Sequence, residues 1–193
     1  RLVDNLNAEI VLGTVCNIRE IVDWLKYTYL YIRMQRNPLE YGLKSIAAHD
    51  LGLIIDHLTG LAKSSAEQLD RAQMIRYNPE REATVDATHL GRIASHFYIQ
   101  YETIVHLNEQ LRDVMDIGNI LHLMSSASEF HQLRIREEEI EQLQNLWTQC
   151  KFKIKGDLTS TNTKVNILMQ SCINRSITEC HSLNSDMMYI LQV

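Results

Sequence analysis

The sequence predicts a mainly α protein, in which helices close on one small β-hairpin and a helical bundle follows. Three observations predict this. Proline is scarce, at two in 193 residues, and glycine stands at seven, which favours helix over a sandwich or barrel. Apolar residues recur at i, i+3, i+4 and i+7 along several long segments. One stretch, 73–85, changes to a strand, turn, strand pattern. The length suits one domain or two small ones, and 45% apolar with 22% charged residues is ordinary for a globular core.

In order, residues 4–13 read as a short helix with Leu6, Ile10 and Val11 near one face. Asn17 reads as an N-cap with Glu20 three residues on, a capping-box pattern in which Asn stands for Ser or Thr. Ile21, Trp24, Leu25, Thr28 and Tyr31 or Ile32 then predict one amphipathic helix over 17–35. Pro38 disfavours helix at Asn37, and Gly42 closes the segment. A second long helix is predicted over 46–69, with Leu51, Ile54, Ile55, Leu58, Leu61 and Ala62 as its stripe. Gly52 and Gly60 weaken it by about 1 kcal/mol each relative to Ala. Residues 73–77 and 83–85 read as strands about an Asn78-Pro79-Glu80 turn. Helices followed by a small hairpin are the layout of a winged helix, placed here at 1–86. Thr88 caps a predicted helix over 88–112, with Leu90, Ile93, Ala94, Phe97, Tyr101, Ile104 and Val105 on one face. Helices follow over 116–126, 135–149 and 163–175, separated by an exposed loop over 151–162. Ser185 or Asp186 caps a last apolar segment. The bundle occupies 87–193. Arg1 without a preceding Met, and the apolar run 187–193, read as ends cut from something longer.

A net charge of -5 disfavours a free-standing nucleic-acid binder, so any such contact is local or shared with a missing neighbour. Cys16, Cys150, Cys172 and Cys180 form no zinc spacing and read as reduced, partly buried thiols. His49 and His57 could share a helix face, yet no third metal ligand accompanies them. No phosphate-cradling GxxxxGK[ST], no DExH box, and no HExxH or GxSxG motif occurs. Glu137-Glu138-Glu139 reads as a solvated helix start, with acid–base or metal chemistry as the alternative. Lys151, Lys153 and Lys155 alternate with Phe152 and Ile154, either as a solvated loop or as a nucleic-acid contact. Trp24, Tyr27, Tyr29 and Tyr31 read as core or interface packing rather than a base-stacking platform. Arg71 and Arg76, with Lys63, lie near the wing, where cations meet phosphates. No segment reaches membrane-spanning length.

The run from Asn5 to Leu43 resembles the start of the winged-helix region of the Ski-type superfamily 2 helicases. The elements that carry the resemblance are Leu6-Asn7-Ala8-Glu9-Ile10, Gly13-Thr14, Trp24-Leu25, Thr28-Tyr29-Leu30-Tyr31, Arg33-Met34 and Asn37-Pro38 with Tyr41-Gly42. Residues 90–99 (LGRIASHFYI), Ser128-Glu129-Phe130 with 133–139, and 164–170 (KVNILMQ) resemble the helical Sec-sixty-three homology domain that follows it. Residues 69–76 and 91–104 are most similar to the tandem-cassette members, and the chain resembles the tail of a first cassette.

The resemblance implies a non-catalytic piece of an ATP-dependent 3′-to-5′ nucleic-acid helicase. Its winged helix is a hinge coupling two RecA-like motor domains to a strand-holding helical domain. ATP and magnesium belong to those motor domains, with no cofactor in this chain. The implied partners are the motor domains, single-stranded nucleic acid and subunits of a complex, with no membrane. The implied location is nuclear, with the cytoplasm open. The implied ratchet helix starts near residues 185–189, so most of its strand-contacting face is expected beyond Val193. The site residues expected on these grounds are Arg71 and Arg76 at the wing, Arg92 and His96 near the domain junction, and Met188 and Tyr189 on the ratchet helix. A stand-alone winged-helix adaptor for protein partners is the alternative. A winged-helix transcription factor is disfavoured by the acidic balance.

Overall fold

The computed structural model describes residues 1–43, 51–176 and 178–192. They form two compact units, Arg1–Tyr101 and Glu102–Val193. Ten α-helices and one two-stranded sheet occur among the described residues, so the chain is mainly α, as its composition predicts.

In the first unit α1 (Leu2–Leu12) stops at Gly13, whose φ of 76 is left-handed and suits a residue without a Cβ. Asn17 caps α2 (Ile18–Lys26) by accepting the Glu20 N–H at 2.9 Å. The Glu20 carboxylate reaches back one residue further than the usual box, to the Cys16 N–H at 2.7 Å. The single helix expected over 17–35 is instead two, α2 and α3 (Tyr29–Arg36). Thr28 breaks it: its hydroxyl donates to the Leu25 carbonyl at 2.6 Å and its backbone is extended. Threonine hydroxyls compete for backbone acceptors in this way, which periodicity alone does not reveal.

The second long helix, α4, is described over Leu51–Arg71. The expected start from 46, with His49, lies outside the described residues. Ile54, Leu58, Ala62, Ser65, Ala66 and Leu69 are buried, whereas Leu51 and Ile55 of the expected stripe are exposed. The buried line follows i, i+4 and favours small residues where α1 and α2 cross it. Gln73, at φ 61, ends the segment, and the Met74 N–H returns to the Leu69 carbonyl at 2.9 Å. Strand β1 (Ile75–Asn78) then pairs antiparallel with β2 (Thr84–Ala87), Ile75 opposite Ala87. A third edge is supplied by residues 16–18, where Val85 N–H donates to the Cys16 carbonyl at 2.9 Å and Asn17 bridges Thr84.

Thr88 caps α5 (His89–His96) by accepting the Gly91 N–H at 3.1 Å. Where α5 packs against α1, a Cβ on Gly91 would lie 2.0 Å from the Met74 carbonyl oxygen, just before β1. Asn7 fastens the crossing by donating Nδ2 to the Gly91 carbonyl at 2.9 Å. The helix expected over 88–112 is also two, α5 and α6 (Tyr101–Gln110). Tyr98 takes φ 57, and the Ile99 N–H bonds to the Ala94 carbonyl at 2.9 Å, a Schellman-type stop. The Tyr101 N–H, at the start of α6, donates to Asp4 at 2.7 Å. That cap comes from 97 residues away, so no local signal announces it.

In the second unit Asp116 caps α7 (Ile117–Ser125), accepting the Asn119 N–H at 2.6 Å. A 3-10 turn over Glu137–Glu139 leads into α8 (Ile140–Thr148). Helices α7, α8 and α10 (His181–Gln192) all pack on α9 (Thr161–Asn174). Every residue of α9 from Thr163 to Ser171 is buried, so this helix is the axis of the unit. Leu143, Val165, Ile167, Leu168 and Leu183 form the centre of its core.

Candidate functional site

Two residues expected to contact a strand, Met188 and Tyr189, lie on α10, and buried charge fixes where α10 sits. Lys164, in the first turn of α9, has a side chain with no exposed surface. Its ammonium lies 2.6 Å from the Glu139 carboxylate and 2.7 Å from Asp186, and donates to the Arg134 carbonyl at 2.9 Å. Arg136 closes the cluster from outside, 2.5 Å from Glu139 and 3.9 Å from Asp186. Ser182 donates its hydroxyl to Glu139. A buried charge survives only when paired, so one lysine ties the turn before α8, the first turn of α9 and the first half of α10 together. Burial works against a charged Glu139. The hydrogen bonds from Lys164, Ser182 and the Arg136 backbone outweigh it and hold the carboxyl at about 2.

This geometry corrects two expectations. Glu137 and Glu138 are solvated, but Glu139 is buried and structural. Ser185 and Asp186 do not start the last helix, which begins at His181, because Asp186 is turned inward onto Lys164. The sequence did hold a signal for the cluster: a lysine inside the otherwise burial-prone run 163–171 requires counter-charges.

The loop over 151–162 is likewise not simply solvated. Ile154 is buried, and Gln170 of α9 grips the Phe152 backbone at both its N–H and its carbonyl, each at 3.0 Å. The aromatic residues of α2 and α3 do not fill the core of their unit. Tyr27 is 92% exposed and Tyr29 71%, while Trp24 and Tyr31 are half-buried. The break at Thr28 throws both tyrosines outward at the corner between the helices.

Arg71 ends α4, is exposed, and donates Nε to its own helix at the Glu67 carbonyl. Arg76 is exposed on β1. Arg92 and His96 are four apart on α5 and share its exposed side, with His96 edge-on to Phe97 at 4.8 Å between ring centroids. Met188 is 57% exposed on α10. Its neighbour Tyr189 is half-buried, with its hydroxyl donating to the Glu129 carbonyl at 3.1 Å. Among the described residues, no group of three His, Cys, Asp or Glu side chains could hold a metal ion, and no helix is long and apolar enough to cross a membrane.

Comparison with known proteins adds the family. Residues 87–193 match the Sec63 Brl domain, and residues 1–78 match the Winged Helix-turn-helix domain. This chain belongs to the Sec63 Brl domain family. It is 44% identical, over 99% of its length, to Activating signal cointegrator 1 complex subunit 3 of Homo sapiens. It is 42% identical to the DExH-box ATP-dependent RNA helicase DExH14 of Arabidopsis thaliana, over 98% of the chain. It is 40% identical to the U5 small nuclear ribonucleoprotein 200 kDa helicase of Drosophila melanogaster, over the whole chain. The chain spans 9% of each relative's length. The likeness to Ski-type helicases read from short segments therefore extends over nearly the whole chain. Within the Sec63 Brl part lie α5 to α10, and with them the entire Lys164 cluster.

Proposed function

We propose that this chain is a non-catalytic accessory part of an ATP-dependent, 3′-to-5′ nucleic-acid helicase, coupling motor domains to a strand-holding helical domain. The observation that carries the reading is the ordered match of winged helix and Sec63 Brl domain to helicase relatives over nearly the full chain. On this reading the motor domains bind ATP and magnesium, and this chain binds neither. The names of the relatives favour work in the nucleus, within a complex.

Coupling needs a rigid contact with the motor. The first unit offers the exposed tyrosine corner, Tyr27 and Tyr29, carried on two helices whose inner faces are fixed by Ile21, Leu25 and Met34. In the second unit the Lys164 cluster holds α10 still, as a helix that steps along a strand requires. The test is Tyr27→Ala with Tyr29→Ala in a helicase containing this chain. Both rings are exposed, so the fold stays intact. ATP hydrolysis should stay within about twofold while duplex unwinding falls about tenfold, because misplaced elements uncouple chemistry from motion. Unchanged unwinding would overturn the coupling role.

A further inference from the structure

We propose that residues 151–155 of the second unit form a contact for the phosphate backbone of single-stranded nucleic acid, built separately from α10. The inference rests on the nucleic-acid reading above and adds a site to it.

The segment reads KFKIK, and its burial alternates: Lys151, Lys153 and Lys155 are exposed, Phe152 is half-buried and Ile154 is buried. Outward and inward residues alternate as in a strand, although Lys151 and Phe152 lie in a bend and the segment belongs to no regular element. This segment is not held by a neighbouring strand. Gln170, 2% exposed on α9, takes the strand's place: its Oε1 accepts the Phe152 N–H and its Nε2 donates to the Phe152 carbonyl. The same Nε2 group donates to Asn166 at 3.0 Å, which fixes the amide's orientation. Ile154 then pins the segment into the core two residues on. With two points fixed from inside, the three lysines are displayed in a fixed row outside.

That row lines an open cleft of about 720 Å³, together with Asp116, Ile117 and Phe152. Lys155 donates to Asn119 at 2.9 Å. Asp116, the one acid of the lining, has an oxygen committed to capping α7. In a chain of net charge -5 the cleft lining carries three lysines against one acid, a local excess of cations. Three cations spaced two residues apart in the chain suit a ligand with repeating charge. Phe152, half-buried, also lines the cleft, and an aromatic ring beside cations favours a ligand that carries flat bases, the combination that single-strand grooves use.

The test is fluorescence anisotropy of the whole chain with a fluorescein-labelled oligouridine of about sixteen nucleotides, at about 50 and about 200 mM salt. The double substitution Lys151→Ala with Lys153→Ala should weaken binding at least about tenfold at low salt. It should also lower the salt slope by about 1.4, because two phosphates are then left without a lysine to neutralise them. Arg19→Ala with Arg36→Ala, both exposed in the first unit, should leave binding unchanged. Gln170→Met should weaken binding with all three lysines present, because it frees the row from its inner anchor. The proposal is overturned if the lysine variant binds like the parent, or if the parent shows no salt-dependent binding. It is also overturned if unlabelled polyglutamate displaces the strand as well as unlabelled oligouridine does, which would make the row a seat for an acidic protein. None of these results bears on the unwinding test, whose tyrosines lie in the other unit.

Discussion

At Gly91 one missing methyl group decides how closely a helix approaches the backbone just before β1. The gap to the Met74 carbonyl leaves no room for a side chain, and the partner is backbone, which cannot swing away. Gly91→Ala should therefore destabilise the first unit by about 3 kcal/mol, the upper range for overpacking. Gly60, inside α4 and with open space around it, makes the control: Gly60→Ala should stabilise by about 1 kcal/mol. Urea unfolding followed by Trp24 fluorescence checks both, and the opposite signs are the point of the comparison. Only one of the two glycines announces its role in the sequence. Gly60 reads as a helix-weakening residue, which it is, while Gly91 reads as part of a capped helix start and gives no hint of a carbonyl from residue 74. Lys164 is the contrary case, since a charge inside a burial-prone run is a visible anomaly.

The periodicity of whole elements was more legible than their ends. Ile21 and Leu25, and later Ile93 and Ala94, lie on the predicted faces, yet two of the three long predicted helices break in the middle. The breaks are made by the Thr28 hydroxyl in one case, and by Tyr98 with the distant Asp4 cap in the other. Tyr98 holds a left-handed backbone that costs an ordinary residue about 1–2 kcal/mol, and its side chain is 89% exposed, so it recovers little by packing. Tyr98→Gly should stabilise the fold by about 0.5–1 kcal/mol after the added freedom of glycine in the unfolded chain is subtracted. Thermal unfolding measures this, and a lower midpoint would show that the exposed ring makes a stabilising contact. The strands were found from turn chemistry at Asn78-Pro79, within one or two residues. The third edge at 16–18 is too short to show a period of two.

For the molecule as a whole, the buried ion pairs among the described residues lie in the second unit, so acid should act unevenly. Glu139 titrates at about 2 when folded against 4.5 when free. A carboxyl whose folded value is depressed contributes stability above its unfolded value and loses it as pH falls toward the folded one. The second unit should thus lose about 3 kcal/mol between pH 4.5 and about 2. The two tryptophans separate the units: Trp24→Phe leaves Trp147 to report the second, and Trp147→Phe leaves Trp24 to report the first. Acid titration should unfold the second unit at the higher pH, and Glu139→Gln should flatten its pH dependence. The mainly α class, the hairpin and the family were legible because composition, turns and long ordered resemblances carry them. The anomaly at Lys164 was legible but its partners were not, because the cluster joins residues 139, 164 and 186, and pairing across such distances leaves no local pattern.

Helix α9 has no outward side from Thr163 to Ser171. Most helices keep a face on which sequence can drift freely over generations. This one offers no such freedom, because each replacement must be answered by a neighbour on α7, α8 or α10. Lys164 in particular can be exchanged in a lineage only together with both of its carboxylates, so residues 139, 164 and 186 should be inherited as a set.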